Sequence, residues 1–175
     1  MLFLIIIVLI VAYFVYVSNK LVKFKNLYNE AWSDVDVQLK KRHDLLPTLV
    51  ESVKGYTKHE SSTFKDGALA RAGNLQEAAQ IENNLTNSFK QIFALAEAYP
   101  DLKASQNFIQ LQTSLVEIED DLESARRYYN GCVRNYNTLI ESFPSNLVAG
   151  ISHHQISPFF ELTLATEKEA PKVSL

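Results

Sequence analysis

Histidine and carboxylate side chains are the groups in this 175-residue chain that could carry out acid–base or metal chemistry. The histidines are His43, His59, His153 and His154. A metal pair on a helix needs ligands three or four residues apart, and no two of these histidines have that spacing. His59 and Glu60 are adjacent, so on a helix they point to different faces. The histidines therefore predict no metal site, and we expect no cofactor.

An acidic group stands in the C-terminal half, at Glu117, Glu119, Asp120, Asp121 and Glu123. Paired catalytic carboxylates need a cleft that separates their pKa values. Five acids crowded on a short helical stretch are more simply a solvated face. We therefore predict no catalytic residues and no enzymatic activity. An enzyme acting on membrane substrates is the remote alternative, with Glu119, Asp120 and Asp121 as its best candidates.

The cysteine and the basic residues suggest no chemistry either. Cys132 is the one cysteine, which excludes an intrachain disulfide, and it falls on an apolar stripe where a small buried hydrophobe is expected. The net charge of −3 argues against a nucleic-acid partner. In the basic run 40–42, Arg42 interrupts an apolar stripe, and we expect its side chain to reach outward to solvent.

The first seventeen residues contain no charge, no proline and no glycine. As a helix they span roughly 25 Å, and Leu21 and Val22 lengthen the apolar run toward the ~30 Å of a bilayer core. A cleaved signal peptide is disfavoured because no small-residue cleavage site follows. A buried core helix would need more surrounding protein than the remaining chain supplies. The sequence predicts a membrane anchor over residues 1–19, with the lipid bilayer as its partner.

Basic residues directly after this segment predict its orientation. Lys20, Lys23 and Lys25 follow it, and only the α-amino group precedes it. Positive charge is retained on the cytoplasmic side of a membrane helix. We therefore expect a single-pass protein of the inner membrane, with the N-terminus outside and the remainder cytoplasmic.

Helical periodicity continues beyond the anchor. Apolar residues at steps of three and four extend the first helix from Leu21, with a kink or short break expected at residues 45–46, before Pro47. Loop signals fill 64–74, and a second helix is expected from a cap at Asn74 to Pro100. The last helix carries a heptad seam over five heptads. The seam residues are Phe108, Leu111, Leu115, Ile118, Leu122, Ala125, Tyr129, Cys132, Tyr136, Leu139 and Phe143.

The predicted fold class is all-α: a single N-terminal transmembrane helix followed by an antiparallel bundle of long helices. The predicted divisions are an anchor over 1–19, a cytoplasmic bundle over 20–150 and a C-terminal tail over 151–175. A short helical turn is expected near 146–151, after Pro144 ends the last helix.

Several segments resemble the LemA family. They are 35–47 (VDVQLKKRHDLLP), 53–56 (VKGY) followed by His59-Glu60, 96–104 (AEAYPDLKA), 125–130 (ARRYYN) and 143–146 (FPSN). Their order and spacing match over about residues 19–160. The resemblance implies a bacterial protein with one N-terminal membrane helix and a cytoplasmic bundle of long helices. It supplies no catalytic residues. It implies that some relatives lie near membrane proteases and quality-control proteins, which suggests a class of partner.

We therefore expect an interaction or scaffold protein at the inner face of a bacterial membrane, with protein partners still to be identified. The alternative is a homo-oligomeric structural assembly in the membrane. It is suggested by the length of the seam, which could exceed what two other helices of the same chain cover.

Overall fold

A computed structural model describes residues 1–54 and 75–161, and these residues form five α-helices and no strand. The helices are α1 (Leu2–Lys54), α2 (Leu75–Glu97), α3 (Pro100–Lys103), α4 (Gln106–Glu141) and α5 (Ser145–Ile151). The predicted all-α class is confirmed. The loop predicted over 64–74, with its Asn74 cap, lies outside the described residues, as does His59.

The helix α1 is 53 residues long and runs from the apolar N-terminal segment into the polar part of the chain. The predicted continuity is therefore confirmed. Of the kink or short break predicted at residues 45–46, the break is wrong, because Pro47 lies inside the helix. Proline removes one backbone hydrogen bond and crowds the preceding turn. The next turns hold Leu49 and Val53, which are fully buried in a hydrophobic core, and this packing keeps the helix in register past the proline.

The helix ends follow the local signals, with one addition. α2 starts one residue after Asn74 and ends at Glu97. Pro100 begins the one-turn helix α3, which the sequence analysis missed because it took this proline only as a stop signal. Proline is favoured at the first helical position, where its missing N–H has no intrahelical acceptor. Ser105 caps α4, because its Oγ accepts the N–H of Phe108 at 3.3 Å.

The chain divides into two compact units. The first unit combines residues 1–35 with 124–159, and the second is formed chiefly by residues 36–123. Because α1 and α4 are long, each contributes one part to the first unit and another part to the second.

In the first unit α1 and α4 are antiparallel. The ring of Trp32 lies 5.6 Å from that of Tyr129, and the ring of Tyr28 lies 5.1 Å from that of Tyr136. A step toward the N-terminus on α1 is therefore a step toward the C-terminus on α4. α5 completes this unit. The buried core of the unit consists of Val17, Leu21, Tyr136, Val148 and Ala149.

The second unit has a core drawn from four helices. Its buried members are Leu49 and Val53 of α1, Leu85, Phe89, Ile92 and Ala96 of α2, Leu102 of α3, and Phe108 and Leu115 of α4. The rings of Phe93 and Phe108 meet edge to face at 6.1 Å. α3 places one fully buried leucine in this core, which explains why so short a helix is retained between α2 and α4.

The predicted seam of α4 is largely covered within one chain. Its residues from Phe108 to Leu139 are buried or half-buried, and only Phe143 at its end is exposed, at 80%. Cys132 is buried, as predicted. The heptad period is thus confirmed as the core-facing stripe of α4, and covering it does not require a second copy of the chain.

Candidate functional site

An exposed apolar surface at the N-terminus is the feature of the molecule that most needs an explanation. Each residue from Leu2 to Val11 is a large hydrophobe with between 44% and 77% of its surface exposed. Contiguous exposure on this scale is typical of membrane or partner contact, since soluble monomers expose only small apolar patches. α1 is the one helix in the described part of the chain that is long and apolar enough to cross a membrane. We call residues 2–11 the N-terminal apolar surface.

Burial begins within the same helix, a few residues further on. Phe14 is half-buried against the core of the first unit, Val17 is 2% exposed and Leu21 is fully buried. The helix that carries the N-terminal apolar surface is therefore also a core element of the first unit. No flexible connection separates the two, since α1 is helical throughout this stretch.

Basic side chains surround α1 just beyond the apolar surface. The Lys20 ammonium lies 5.9 Å from the ring centroid of Tyr16 and 5.8 Å from that of Phe24. Lys23 and Lys25 are exposed one turn further. Aromatic rings and lysine ammonium groups together are typical of the headgroup layer, where one end of a side chain is apolar and the other is hydrated.

A buried arginine is the second unusual feature. Arg42 is 4% exposed, so the prediction that it reaches outward is wrong. Its Nη1 lies 3.7 Å from Glu82 Oε1. Its Nη2 donates to Thr86 Oγ1 and to Glu119 Oε1, each at 3.0 Å. The guanidinium carbon lies 5.4 Å from the ring centroid of Phe89. We call these five residues the Arg42 cluster.

The spacing on α2 explains why this arginine points inward. Glu82, Thr86 and Phe89 are separated by four and three residues, so they share one face of the helix. That face offers a carboxylate, a hydroxyl acceptor and an aromatic ring, which match a guanidinium in charge and in planar shape. The second unit therefore supplies the buried Arg42 guanidinium with the polar contacts that water supplies to an exposed arginine.

The Arg42 cluster has no capacity for acid–base catalysis. A guanidinium does not give up its proton in proteins, and the side chain of Glu82 is only 5% exposed, so substrate cannot reach it. The arrangement instead links α1, α2 and α4 through one charged group. The exposed Glu119 carboxylate, 47% accessible, provides the side of the cluster that faces water.

The acidic group on α4 is exposed, as the sequence predicted. All five of its residues are exposed, and Glu119 is the member that also pairs with Arg42. Among the described residues, no group of three or more His, Cys, Asp or Glu side chains could hold a metal ion. His43 is half-buried, and its Nδ1 lies 3.6 Å from the carboxylate of the adjacent Asp44.

Residues 152–158, which follow α5, form ordered contacts with α4, and we call them the return segment. Asn137 Nδ2 donates to the carbonyl of Ser157 at 2.8 Å, and the Ser157 N–H donates to Asn137 Oδ1 at 2.8 Å. The Tyr129 hydroxyl donates to the carbonyl of Pro158 at 3.1 Å. The Tyr136 hydroxyl lies 2.9 Å from His154 Nδ1.

Sequence reasoning placed His153 and His154 in a plain polar tail and missed this role for His154. A usable signal was present on α4. Tyr129, Tyr136 and Asn137 stand on or beside the seam, and buried polar groups nearly always have hydrogen-bond partners. An irregular segment is one source of such partners, because its backbone groups, unlike those of a helix, are not already paired.

Burial also shifts the pKa values of four side chains in this region. It raises the pKa of the Cys132 thiol, which therefore stays protonated and unreactive at neutral pH. Burial likewise raises the pKa of Tyr129 and of Tyr136. The pKa of His154 lies below its ordinary value of 6.5, first because the ring is partly buried and second because Lys25 is near.

The return segment is expected to loosen on acidification. Because the pKa of His154 is lower in the folded state, the unfolded state binds more protons, and stability falls as the pH drops below about 6.5 through the lowered pKa. Amide exchange at Ser157, corrected for intrinsic rates, should accelerate between pH 7.5 and pH 5. His154→Gln retains an acceptor for Tyr136 and should remove this dependence. An unchanged pH profile in that variant would assign the effect to another group.

Comparison with known proteins places the chain in a family. The LemA family model matches residues 31–175. The chain belongs to the LemA family. Protein LemA of Metamycoplasma hominis is 28% identical over 145 residues, which cover 78% of this chain and 66% of that protein. The membership of this chain in the LemA family confirms the resemblance predicted from the motifs in 35–47 and 96–104.

Other relatives share a shorter part of this LemA-family chain. Magnetosome protein MamQ 2 of Paramagnetospirillum magneticum is 31% identical over 75 residues, covering 43% of this chain and 28% of that protein. Magnetosome protein MamQ of Magnetospirillum gryphiswaldense is 28% identical over 74 residues, covering 42% of this chain and 27% of that protein. The chain thus spans just under two thirds of the Metamycoplasma protein and about a quarter of the magnetosome proteins. None of these names specifies a reaction.

Proposed function

We propose that this chain is a scaffold or adaptor protein held at the inner face of a bacterial membrane by residues 1–19, with the N-terminus outside. The observation that carries the proposal is the N-terminal apolar surface, which is exposed along residues 2–11 and belongs to a helix that is also a core element of the first unit. An anchor built into a folded unit holds that unit close to the bilayer, where it can present its polar faces to partners.

Charge supports the orientation. Lys20, Lys23 and Lys25 follow the apolar surface by about two and a half to four helical turns. Positive residues this close to a membrane helix favour the cytoplasmic side. The exposed acids on α4 are compatible with this location, since acidic residues contribute little to orientation.

The surface chemistry supports binding rather than catalysis. Among the described residues no group of three or more potential metal ligands comes together, and the buried Arg42 cluster is closed to substrate. The exposed acids Glu117, Asp120, Asp121 and Glu123 instead form a strongly negative stretch of α4. A negative surface of this kind steers and selects basic partners. A homo-oligomer gains no support from the seam, because the chain covers the seam itself.

Orientation is tested with a cysteine at an accessible position. Cys132 is buried and would resist labelling on either side, so it is replaced by alanine and Val116, which is 56% exposed, becomes cysteine. A membrane-impermeant maleimide should label this variant only after the cells are permeabilised. Labelling in intact cells would place α4 outside and overturn the proposed orientation.

The scaffold function is tested by in-cell crosslinking followed by affinity purification of the full chain. We expect reproducible protein partners whose yield falls when Asp120 and Asp121 are changed to lysine. The matched control changes Lys40 and Lys41, also exposed, to glutamate and should leave the yield unchanged. Recovery of only the protein itself would reject the scaffold and leave self-assembly.

A further inference from the structure

The corner between α4 and α5 exposes three large hydrophobes four residues apart. Phe143 is 80% exposed, Leu147 is 60% exposed and Ile151 is 67% exposed. The other face of α5 is also apolar, with Val148 and Ala149 buried in the core of the first unit. We call Phe143, Leu147 and Ile151 the corner residues. A short helix that is apolar on both its buried and exposed faces is unusual in contact with water.

The stretch around the corner residues carries no charge at all. Residues 142–152 read SFPSNLVAGIS, between Glu141 and His153. This contrasts with the preceding part of α4, where acids, amides, hydroxyls and arginines outnumber the exposed hydrophobes Ile109, Val116 and Tyr128. Removal of charge together with exposure of Phe, Leu and Ile is the composition of surfaces that enter lipid.

The packing of the first unit fixes where this corner lies along α1. Because α1 and α4 are antiparallel, the C-terminal end of α4 at Glu141 lies toward the N-terminal end of α1, which carries the N-terminal apolar surface. Val148 and Ala149 of α5 then share a core with Val17 and Leu21, and Phe14 packs against that same core. The return segment leads back to Asn137 and Tyr129. The corner is therefore the turning point of the unit, beside the place where α1 becomes exposed and apolar.

We propose that the corner residues enter the bilayer beside α1 and form a second lipid contact, at the boundary between headgroups and hydrocarbon. This rests on the membrane anchoring stated under the proposed function. The occupant is lipid because α5 packs against α1 at Phe14, Val17 and Leu21, which follow the N-terminal apolar surface on the same helix. This places the corner level with Tyr16 and Lys20, whose ring and ammonium suit the headgroup layer. Two lipid contacts on the same unit fix its tilt as well as its attachment.

The test uses the full chain, with Cys132 replaced by alanine, reconstituted in phosphatidylethanolamine–phosphatidylglycerol vesicles. An environment-sensitive fluorophore is attached to a cysteine at Leu147. Val8, 56% exposed in the N-terminal apolar surface, is labelled as the lipid reference. Tyr128 is the matched aqueous reference, since it is 52% exposed on α4 and lies roughly 20 Å before the C-terminal end of that helix.

We expect the label at Leu147 to report a lipid environment, at a shallower depth than the label at Val8. It should be quenched by a doxyl group near the lipid carbonyl and should lose the iodide quenching seen at Tyr128. The same result at Ile151 supports the proposal if the Leu147 variant folds poorly.

Three results would overturn the inference. Iodide quenching at Leu147 and Ile151 with lipid quenching at Val8 rejects the corner contact and leaves the anchor. Iodide quenching at Leu147, Ile151 and Val8 alike rejects the membrane anchor itself. Protection at Leu147 from both quenchers that disappears on dilution with lipid assigns the corner to a second copy of the chain.

Discussion

Replacing Arg42 with alanine is expected to destabilise the second unit by about 3–5 kcal/mol, which is the usual cost of removing one partner of a buried ion pair. The reason is electrostatic. Glu82 is 4% exposed, so when the guanidinium is lost its carboxylate cannot recover hydration in compensation. Thr86 and the ring of Phe89 lose a partner at the same time. Thermal unfolding of the full chain in detergent, with amide exchange of α2 as a local readout, measures the effect.

Two further variants separate this explanation from a simple loss of packing volume. Lys41→Ala removes a similar side chain from an exposed neighbouring position and should change stability by less than about 0.5 kcal/mol. Changing both Arg42 and Glu82 to methionine replaces the buried pair with apolar volume and should recover most of the loss. If the double variant is as unstable as Arg42→Ala, the ion pair is not the cause.

Glu119 should contribute much less than Glu82, although its bond to Arg42 is the shorter. Its side chain is 47% exposed, so water screens the pair and rehydrates whichever charge is left. Surface pairs of this kind contribute about 0–1 kcal/mol. Glu119→Gln should therefore be nearly neutral, and a cost equal to that of Arg42→Ala would mean that the cluster is less accessible to water than its exposure indicates.

The long helices were predictable because their signals extend over many turns. The seam of α4 repeats for five heptads, and the apolar stripe of α1 continues directly from an uncharged segment, so local exceptions could not hide either pattern. The family motifs added the overall organisation. The exposed acids on α4 were also readable, since a helix cannot bury so many charges on neighbouring positions.

The failures were decided by tertiary contacts. Pro47 predicts a kink or break by local rules, but the half-buried Leu45 and Leu46 before it and the buried Leu49 after it pack in one core, and α1 stays helical. Arg42 predicts exposure, yet α2 carries a matching carboxylate, hydroxyl and ring some 40 residues away in sequence. None of these three partners of Arg42 can be found from the periodicity of α1 alone. His154 likewise gains its role only because the return segment passes Tyr136.

Leu21→Ala is expected to destabilise the first unit by about 2–5 kcal/mol, which is typical for a fully buried leucine. The core there is small, and Leu21 meets α5 and α4 through Val148, Ala149 and Tyr136. Truncation leaves a cavity beside α1. The short helix α5 cannot move to fill it without losing its packing against α1. Amide exchange in α5 and in the return segment should accelerate strongly, as measured on the full chain in lipid nanodiscs.

The matched control for this variant lies next to it on the same helix. Val22 is 50% exposed, so Val22→Ala removes apolar carbon from α1 at nearly the same depth without opening the core. Its exchange pattern should match that of the unmodified chain. Both variants keep the N-terminal apolar surface intact, so both should remain in the membrane fraction.

This pair of variants separates anchoring from folding. If α1 served only as a tether, changes at Leu21 and Val22 would have similar, small effects, because both positions lie just beyond the apolar segment. The core contacts of Leu21 predict instead that the first unit loosens while attachment persists. Equal exchange rates in the two variants would show that α5 holds its position without α1, and the anchor would then be independent of the unit that it carries.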